Sequence, residues 1–425
     1  MEAVEVSPLR ENLQAEAARA RAAVSSLDDG LVAAALAEAA IVLQRERSRI
    51  LEVNAGDVDA ASAALDRGSL DRLTLTAARL DEMELQLRVM AELPPLERLI
   101  ESWTTADGLQ VSSLRIPVGV VGANFEARPN VALDVASQLL KSLNGGVLRT
   151  GSAASATVTA LVDEVLRPAL AAVGLPPEVV GLVRSTDHAG AEALCSLPAE
   201  IPLVILRGSG PTTASLSRIA AGHGVAVIAH AEGGGVLYLD RTADTGRVET
   251  LIANSLDRLG VCNRLNLLLV HEDLSSLLSH FAEVLRRNGV EPRGTARACA
   301  VASLTPLDVE LGHEWANDSE RLASVTVDLV SSLSEAVEIA NRATSGLAAG
   351  IVAEDAEVAD AFLASYRGTV AFWHAPTRFA DGFALTGAPE TGINVGWAPG
   401  PRGPVTYRDL WLRQFRVVGD GIQHR

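Results

Sequence analysis

Three cysteines, at 195, 262 and 299, are the residues of this chain best able to do covalent chemistry. They contain no CxxC pair, which argues against a disulfide framework and against a zinc site. Each is therefore a buried filler or a nucleophile. Cys195 falls in a helical stretch and Cys299 in an Ala-rich one, as fillers do. Cys262 lies in the short loop Leu259-Gly260-Val261-Cys262-Asn263-Arg264, ahead of an apolar run at Leu267–Val270. Arg258 and Arg264 on either side would favour the thiolate. On the residues alone, nucleophile and filler stand level for Cys262.

Other segments place polar groups where a ligand could use them. In Ile116–Val131 a strand runs past Gly119 and Gly122 into the turn Glu126-Ala127-Arg128-Pro129-Asn130, which opens a helix. Polar groups at a strand's carboxyl end can bind an anion or polarise a carbonyl. In Leu140–Gly151, Arg149 emerges at another strand end, where cofactor phosphates bind in open α/β sheets. Leu206-Arg207-Gly208-Ser209-Gly210-Pro211-Thr212 turns a strand into a helix, though it is neither GxGxxG nor a P-loop. His230 and Glu232 precede Gly233-Gly234-Gly235, and glycines let a ligand approach the backbone. Thr377-Arg378-Phe379-Ala380-Asp381-Gly382 and Arg402-Gly403-Pro404 add charged loops late in the chain. Taken one at a time, each also reads as an ordinary turn, a surface arginine or a structural histidine.

The elements that must position these groups alternate in an α/β rhythm. Residues 8–100 are rich in Ala, Leu, Glu and Arg at helical spacing, with Asp28 and Asp29 poised to cap the run from Leu31. Val111–Val121 reads as a strand or hairpin arm. Strands at Gly145–Leu148, Val179–Val183, Leu203–Leu206, Val225–Ile228 and Val236–Leu239 then alternate with helices, predicting a parallel sheet covered on its faces. A second α/β stretch runs from Thr245 to about Ala371, and Trp411–Val418 is again strand-like.

With 425 residues, the chain is long enough for two lobes with separate cores. Its 48% hydrophobic and 21% charged content is that of a globular protein. No apolar run reaches the roughly 18 residues of a membrane helix. Met1–Arg21 carries Glu2, Glu5, Glu11 and Glu16 and no apolar stretch, so no secretory leader and a cytoplasmic location are expected. A net charge of -17 repels nucleic acid and anionic membranes, so neither is expected as a partner.

In order along the chain, EARPNV at 126–131, LKSxN at 140–144, LR-G at 148–151, Cys262-Asn263, LLVHE at 268–272, TRFxDG at 377–382, PRGP at 401–404 and VVGDG at 417–421 resemble the γ-glutamyl phosphate reductases (glutamate-5-semialdehyde dehydrogenases) of the aldehyde dehydrogenase superfamily. The resemblance runs from about residue 10 to the C-terminus. It implies an aldehyde dehydrogenase-like α/β fold. A Rossmann-like nicotinamide cofactor domain would span 1–107 and 119–235, and an α/β catalytic domain 236–407. A small β oligomerisation arm would span 108–118 and 408–425, giving a homodimer or homotetramer.

It further implies NADPH-dependent reduction of an acyl phosphate, γ-glutamyl phosphate, to the semialdehyde through a Cys262 thioester, in proline biosynthesis. The oxyanion is assigned to the Cys262 backbone N–H and a side chain of the Arg128–Asn130 turn. Arg128, with Arg378 as a second candidate, is assigned to the phosphate. Arg149, Gly151, Arg207, Gly208, Ser209 and Glu314 fall to the cofactor, and Glu126, Asn263, Arg378 and Asp381 to the substrate. His230 stands where hydrolytic relatives carry a Glu base, which suits a reductase that keeps water out. No metal is implied. A glutamate 5-kinase is the partner protein implied.

The sequence departs from the family pattern at Phe125, at Leu206–Ser209, at Ser255 and Leu259, at Asn266 (ordinarily acidic) and at Phe383-Ala384-Leu385-Thr386. These departures leave the cysteine chemistry intact and bear on the substrate. They keep open a relative that reduces a different or modified acyl phosphate in a specialised pathway. A non-catalytic partner subunit of a glutamate kinase is the expectation of another class.

Overall fold

The computed structural model describes residues 8–422, apart from 66, 209, 231–232, 260, 318–322 and 397–400. The chain divides into two compact units. The first runs to Ala229 and includes Ala388–Gly392 and everything from Val405 onward; the second comprises His230–Gly387 and Ile393–Pro404. The change of unit at 229/230 precedes the boundary expected at 235/236.

In the first unit the N-terminal stretch forms the expected helices, Pro8–Val24, Asp29–Arg45, Arg47–Ala61, Arg67–Leu73 and Ala77–Glu92. Asp28 caps the second: its carboxylate accepts from the Gly30 and Leu31 amides at 2.9 and 3.2 Å. Beside them lies a five-stranded sheet in the order Val180–Val183, Gly145–Thr150, Val120–Phe125, Leu203–Arg207, Ala226–His230. Its three ladders from Val180–Val183 across to Leu203–Arg207 are parallel. Val120–Phe125 and Gly145–Thr150 are buried along their whole length, as near-continuous apolar strands of a covered parallel sheet should be. Successive strands step outward from Val120–Phe125 in one direction and then, from Leu203, in the other. That reversal creates the crevice at the strands' carboxyl ends where such sheets bind ligands.

The run read as one strand over Val111–Val121 is two. Gly119, at φ 114°, turns the chain between Gln110–Pro117 and Val120–Phe125, which join different sheets. Gln110–Pro117 is the middle strand of a three-stranded antiparallel arm, with Leu99–Thr104 on one side and Trp411–Val418 on the other. Leu99–Thr104 was not anticipated. Its LIESWT sequence follows directly on a helical stretch and leaves five of its six residues exposed, so no alternation marks it.

The second unit is built on a seven-stranded parallel sheet. Its order is Thr305–Pro306, Glu291–Gly294, Ser324–Val330, Leu265–His271, Gly235–Leu239, Ala348–Val352, Val370–Trp373. The strands Ser324–Val330, Leu265–His271, Gly235–Leu239 and Ala348–Val352 are wholly buried. Cys262 lies on the loop that enters the Leu265–His271 strand.

Candidate active site

In the second unit the Cys262 loop is fixed from several directions. The Gly234 amide donates to the Cys262 carbonyl at 2.6 Å, and the Gly235 amide to the Arg264 carbonyl at 2.8 Å. A Cβ built on Gly233 would come within 2.7 Å of the Cys262 Cα, and one on Gly235 within 2.5 Å of the Thr377 Cβ. The triple glycine therefore lets the cysteine loop and the Thr377 turn lie against the backbone. Among described residues, that is the close approach those glycines permit. Cys262 itself is partly exposed and borders a small apolar cluster of Leu347, Ala348, Phe372, Ala380 and Ile393.

Asn263 and Arg378, both assigned to substrate by resemblance, are engaged within the protein. Asn263 Nδ2 donates to the carbonyls of Arg378 and Ala380 at 3.0 and 3.1 Å. The Arg378 guanidinium bonds Asn263 Oδ1 and, at 2.6 Å, Asp257. Asp381 caps the short helix Gly382–Thr386 by accepting the Ala384 amide at 3.1 Å. Together they pin the Thr377–Gly382 turn to the residue following the cysteine.

Beneath the loop, Arg264 is 1% exposed. It donates to the carbonyls of Leu259 and Ser324, and burial pulls its guanidinium down to about 10 despite the field of Glu314. Glu314 is held by its neighbours: Asn266 donates to the His313 carbonyl at 2.7 Å and accepts the Trp315 amide at 3.0 Å. A carboxylate at 266 could make only the second of these bonds, so the Asn that departs from the family pattern clamps both flanks of Glu314.

In the first unit, residues assigned to the cofactor gather at the strand ends. Arg149 is 4% exposed and donates to Asn124 Oδ1 at 2.9 Å and to the Thr186 and Asp187 carbonyls at 2.6 and 2.9 Å. It is no surface arginine: it braces the loop after the neighbouring strand. The Glu126 amide donates to the Arg207 carbonyl at 3.1 Å. The Glu126 carboxylate stands 3.1 Å from where a Gly208 Cβ would be, among the residues assigned to the cofactor. Arg149 Nε, Thr150 Oγ1 and Arg207 Nε are buried without a hydrogen-bond partner. Gly151, which follows Thr150, has open space where a side chain would go. Three unsatisfied polar atoms at the carboxyl ends of strands beside the switch point fit a polar, phosphate-bearing dinucleotide.

The turn between Val120–Phe125 and the helix Val131–Lys141 holds Ala127 at φ 45°, a left-handed conformation a non-glycine residue adopts at a cost. Asn130 Nδ2 donates to Asp134 Oδ2 at 2.8 Å. His230 ends the strand Ala226–His230. The His230 side chain, Ser209 and Glu232 lie outside the described residues, and with them those parts of the expected site. Sequence reasoning passed over Asp134, Asn124, Thr150 and the Asn266 clamp. For Asp134 the four-residue spacing from Asn130 on a helix was a usable signal.

The other cysteines are fillers. Cys195 is fully buried, and burial pushes its thiol up to about 12. Cys299 Sγ faces the Gly294 carbonyl at 3.4 Å. Among the described residues no three His, Cys, Asp or Glu converge as a metal site, and no helix is long and apolar enough to cross a membrane.

The two parallel sheets and the arm define a protein of the aldehyde dehydrogenase-like fold. The structure aligns over 100% of this chain and 99% of an acetylating aldehyde dehydrogenase from Geobacillus thermoglucosidasius, with a TM-score of 0.69 at 15% identity. Within that fold the chain belongs to the γ-glutamyl phosphate reductase family. It is 34% identical over 397 residues to the γ-glutamyl phosphate reductase of Zymomonas mobilis, covering 92% of this chain and 90% of the relative. The solved γ-glutamyl phosphate reductase of Thermotoga maritima matches 96% of this chain and 99% of its own, with a TM-score of 0.87 and 28% identity. No family model matches the chain.

Proposed function

We propose that this enzyme reduces γ-glutamyl phosphate to glutamate-5-semialdehyde and phosphate, with NADPH as the reductant, as a step of proline biosynthesis. The observation that carries the reading is the bracing of Cys262. One partly exposed thiol stands on a loop held by glycine amides, by Asn263 and by a buried arginine, while Cys195 is sealed away. Fixed geometry of this kind is what a nucleophile requires.

Cys262 Sγ attacks the acyl carbon, the carbon–oxygen bond to phosphate breaks, and phosphate leaves with the electron pair. A thioester remains on Cys262. A nicotinamide cofactor, when bound, would supply the hydride for its reduction. The carbon–sulfur bond then breaks, the aldehyde departs, and a proton from solvent restores the thiol. At each tetrahedral stage the oxygen carries negative charge, which the Cys262 backbone N–H stabilises. Arg128 holds the departing phosphate. Arg207, Thr150, Gly151, Gly208 and Ser209 would hold the cofactor, with Arg149 shaping their site, and Glu314 is the residue assigned to its ribose. Asn263, Arg378 and Asp381 act by keeping the cysteine loop in place. His230 serves a site that excludes water from the thioester. The arm joins copies of the chain into a dimer or a dimer of dimers, and a glutamate 5-kinase supplying the unstable acyl phosphate is the partner this chemistry favours.

The test is NADPH formation from glutamate-5-semialdehyde, NADP and phosphate, beside Cys262→Ala, a mixture lacking phosphate and one with NAD. Turnover that needs both Cys262 and phosphate and prefers NADP supports the reading. Cofactor binding without turnover would move the enzyme to another acyl phosphate. Phe379, Phe383 and Leu385, exposed along the turn pinned by Asn263, are the observation favouring a more apolar acyl group in that case. Absence of cofactor binding would overturn the enzymatic reading.

A further inference from the structure

The Gly233–Gly234 peptide is held from both sides. Its carbonyl, on Gly233, accepts the Ser345 hydroxyl at 2.8 Å. Its N–H, on Gly234, donates to the Cys262 carbonyl at 2.6 Å. In a trans peptide those two groups point in opposite directions, so fixing one aims the other. The sheet explains the placement. The strand Gly235–Leu239 lies between Leu265–His271, entered from the Cys262 loop, and Ala348–Val352, entered from Ser345. Gly235 pairs with Leu265 on one side and with Ala348 on the other. The cysteine loop and the Ser345 turn therefore flank the chain just ahead of Gly235. Ser345 is itself fixed: its Oγ accepts the Leu347 amide at 3.2 Å, which leaves its O–H to be directed at Gly233.

Rotating this peptide changes only the ψ of Gly233 and the φ of Gly234, and neither residue has a side chain to resist it. Reversed, the peptide would set the Gly233 carbonyl against the Cys262 carbonyl, two acceptors with no proton between them, and the loop would have to move away. We propose that Ser345 is a positioning residue for the nucleophile: its hydroxyl locks the Gly233–Gly234 peptide so that the Gly234 N–H holds the Cys262 backbone, from which the thiol and the N–H assigned to the oxyanion both project. The proposal rests on the reading of Cys262 as the nucleophile made above.

The test compares the whole wild-type enzyme with Ser345→Ala and Ser345→Thr. Three things are measured: amide hydrogen exchange at Gly234, kcat and KM in the phosphate-dependent assay, and the rate at which iodoacetamide alkylates Cys262. The wild-type Gly234 amide should be protected. In a folded Ser345→Ala it should exchange on the order of tenfold faster, as the loss of one hydrogen bond allows. There kcat should fall roughly tenfold with the KM for NADP unchanged. Ser345→Thr keeps the hydroxyl and should recover most of both losses. Alkylation forms no oxyanion, so its rate should change far less than kcat. A wild-type Gly234 amide that exchanges as fast as a free one overturns the proposal whatever the variants do. So does unchanged exchange in Ser345→Ala, wild-type kcat alongside faster exchange, or a folded Ser345→Thr as impaired as Ser345→Ala. Alkylation that slows in step with kcat would place the effect on access to the thiol and overturn it too. Turnover in Cys262→Ala would remove the nucleophile reading and the proposal together, whatever the exchange at Gly234.

Discussion

Gly233 and Cys262 are pressed together so closely that any side chain at 233 would collide with the cysteine's backbone. The glycine is what lets the loop close. Gly233→Ala is expected to push the loop away, costing about 1–3 kcal/mol of stability through overpacking. A displaced nucleophile should cost more in rate, on the order of 10²-fold in kcat. Thermal midpoint and kcat measured together check this. Wild-type kcat in a folded Gly233→Ala would show that the loop tolerates the shift.

Alkylation should separate the cysteines. Iodoacetamide at pH 8 is expected to label Cys262 and abolish phosphate-dependent turnover. Cys195, buried with its thiol pushed up to about 12, should stay unlabelled until the protein unfolds. Peptide mass spectrometry reads both sites. Activity surviving full modification of Cys262 would exclude it as the nucleophile.

Bracing and phosphate binding by arginines predict different kinetics. Asn263→Ala removes two bonds to carbonyls and one from Arg378, and should cost about 1–3 kcal/mol of stability and lower kcat. Arg378→Ala should likewise act on kcat, whereas Arg128→Ala should raise the Michaelis constant for phosphate. An Arg378→Ala enzyme altered only in that constant would return Arg378 to the substrate.

Two carboxyls give opposite pH dependences of stability. Asp134 has its folded value raised from 3.8 to about 7, so the folded state holds the extra proton. Its contribution is fully present below 3.8 and falls as pH rises towards 7, by at most a few kcal/mol. Glu335 is lowered from 4.5 to about 2, first by the Ser331 amide at 2.7 Å, then by Arg297. Its contribution is present above 4.5 and lost as pH falls towards 2. Urea unfolding of Asp134→Asn and Glu335→Gln across pH 3–8 should flatten the two slopes separately. Unchanged slopes would show that other groups set them.

The arm should govern assembly. Trp411–Val418 leaves Leu412, Phe415, Val417 and Val418 half-exposed, and Phe415 meets Trp103 edge-on at 6.1 Å. Phe415→Arg is expected to shift a micromolar dimer or tetramer to monomers in light scattering. A wild-type chain already monomeric would refute the arm's role.

Most strands of the two parallel sheets and the helices between residues 8 and 92 were legible in the sequence, because apolar periodicity and glycine placement are local properties. The family followed from several short motifs in the right order. What tertiary structure decided was how each polar side chain is used. Asn263, Arg378 and Asp381 look like free ligands in sequence, yet Asn263 bonds carbonyls 115 and 117 residues away, Arg378 bonds the side chains of Asp257 and Asn263, and Asp381 bonds a helix end. Arg149 reads as a surface group and is buried under two carbonyls. Asp134 carried no signal beyond its four-residue spacing from Asn130. A hydrogen bond spends a donor on one partner, and the sequence names the donors without naming the partners: folding makes that choice.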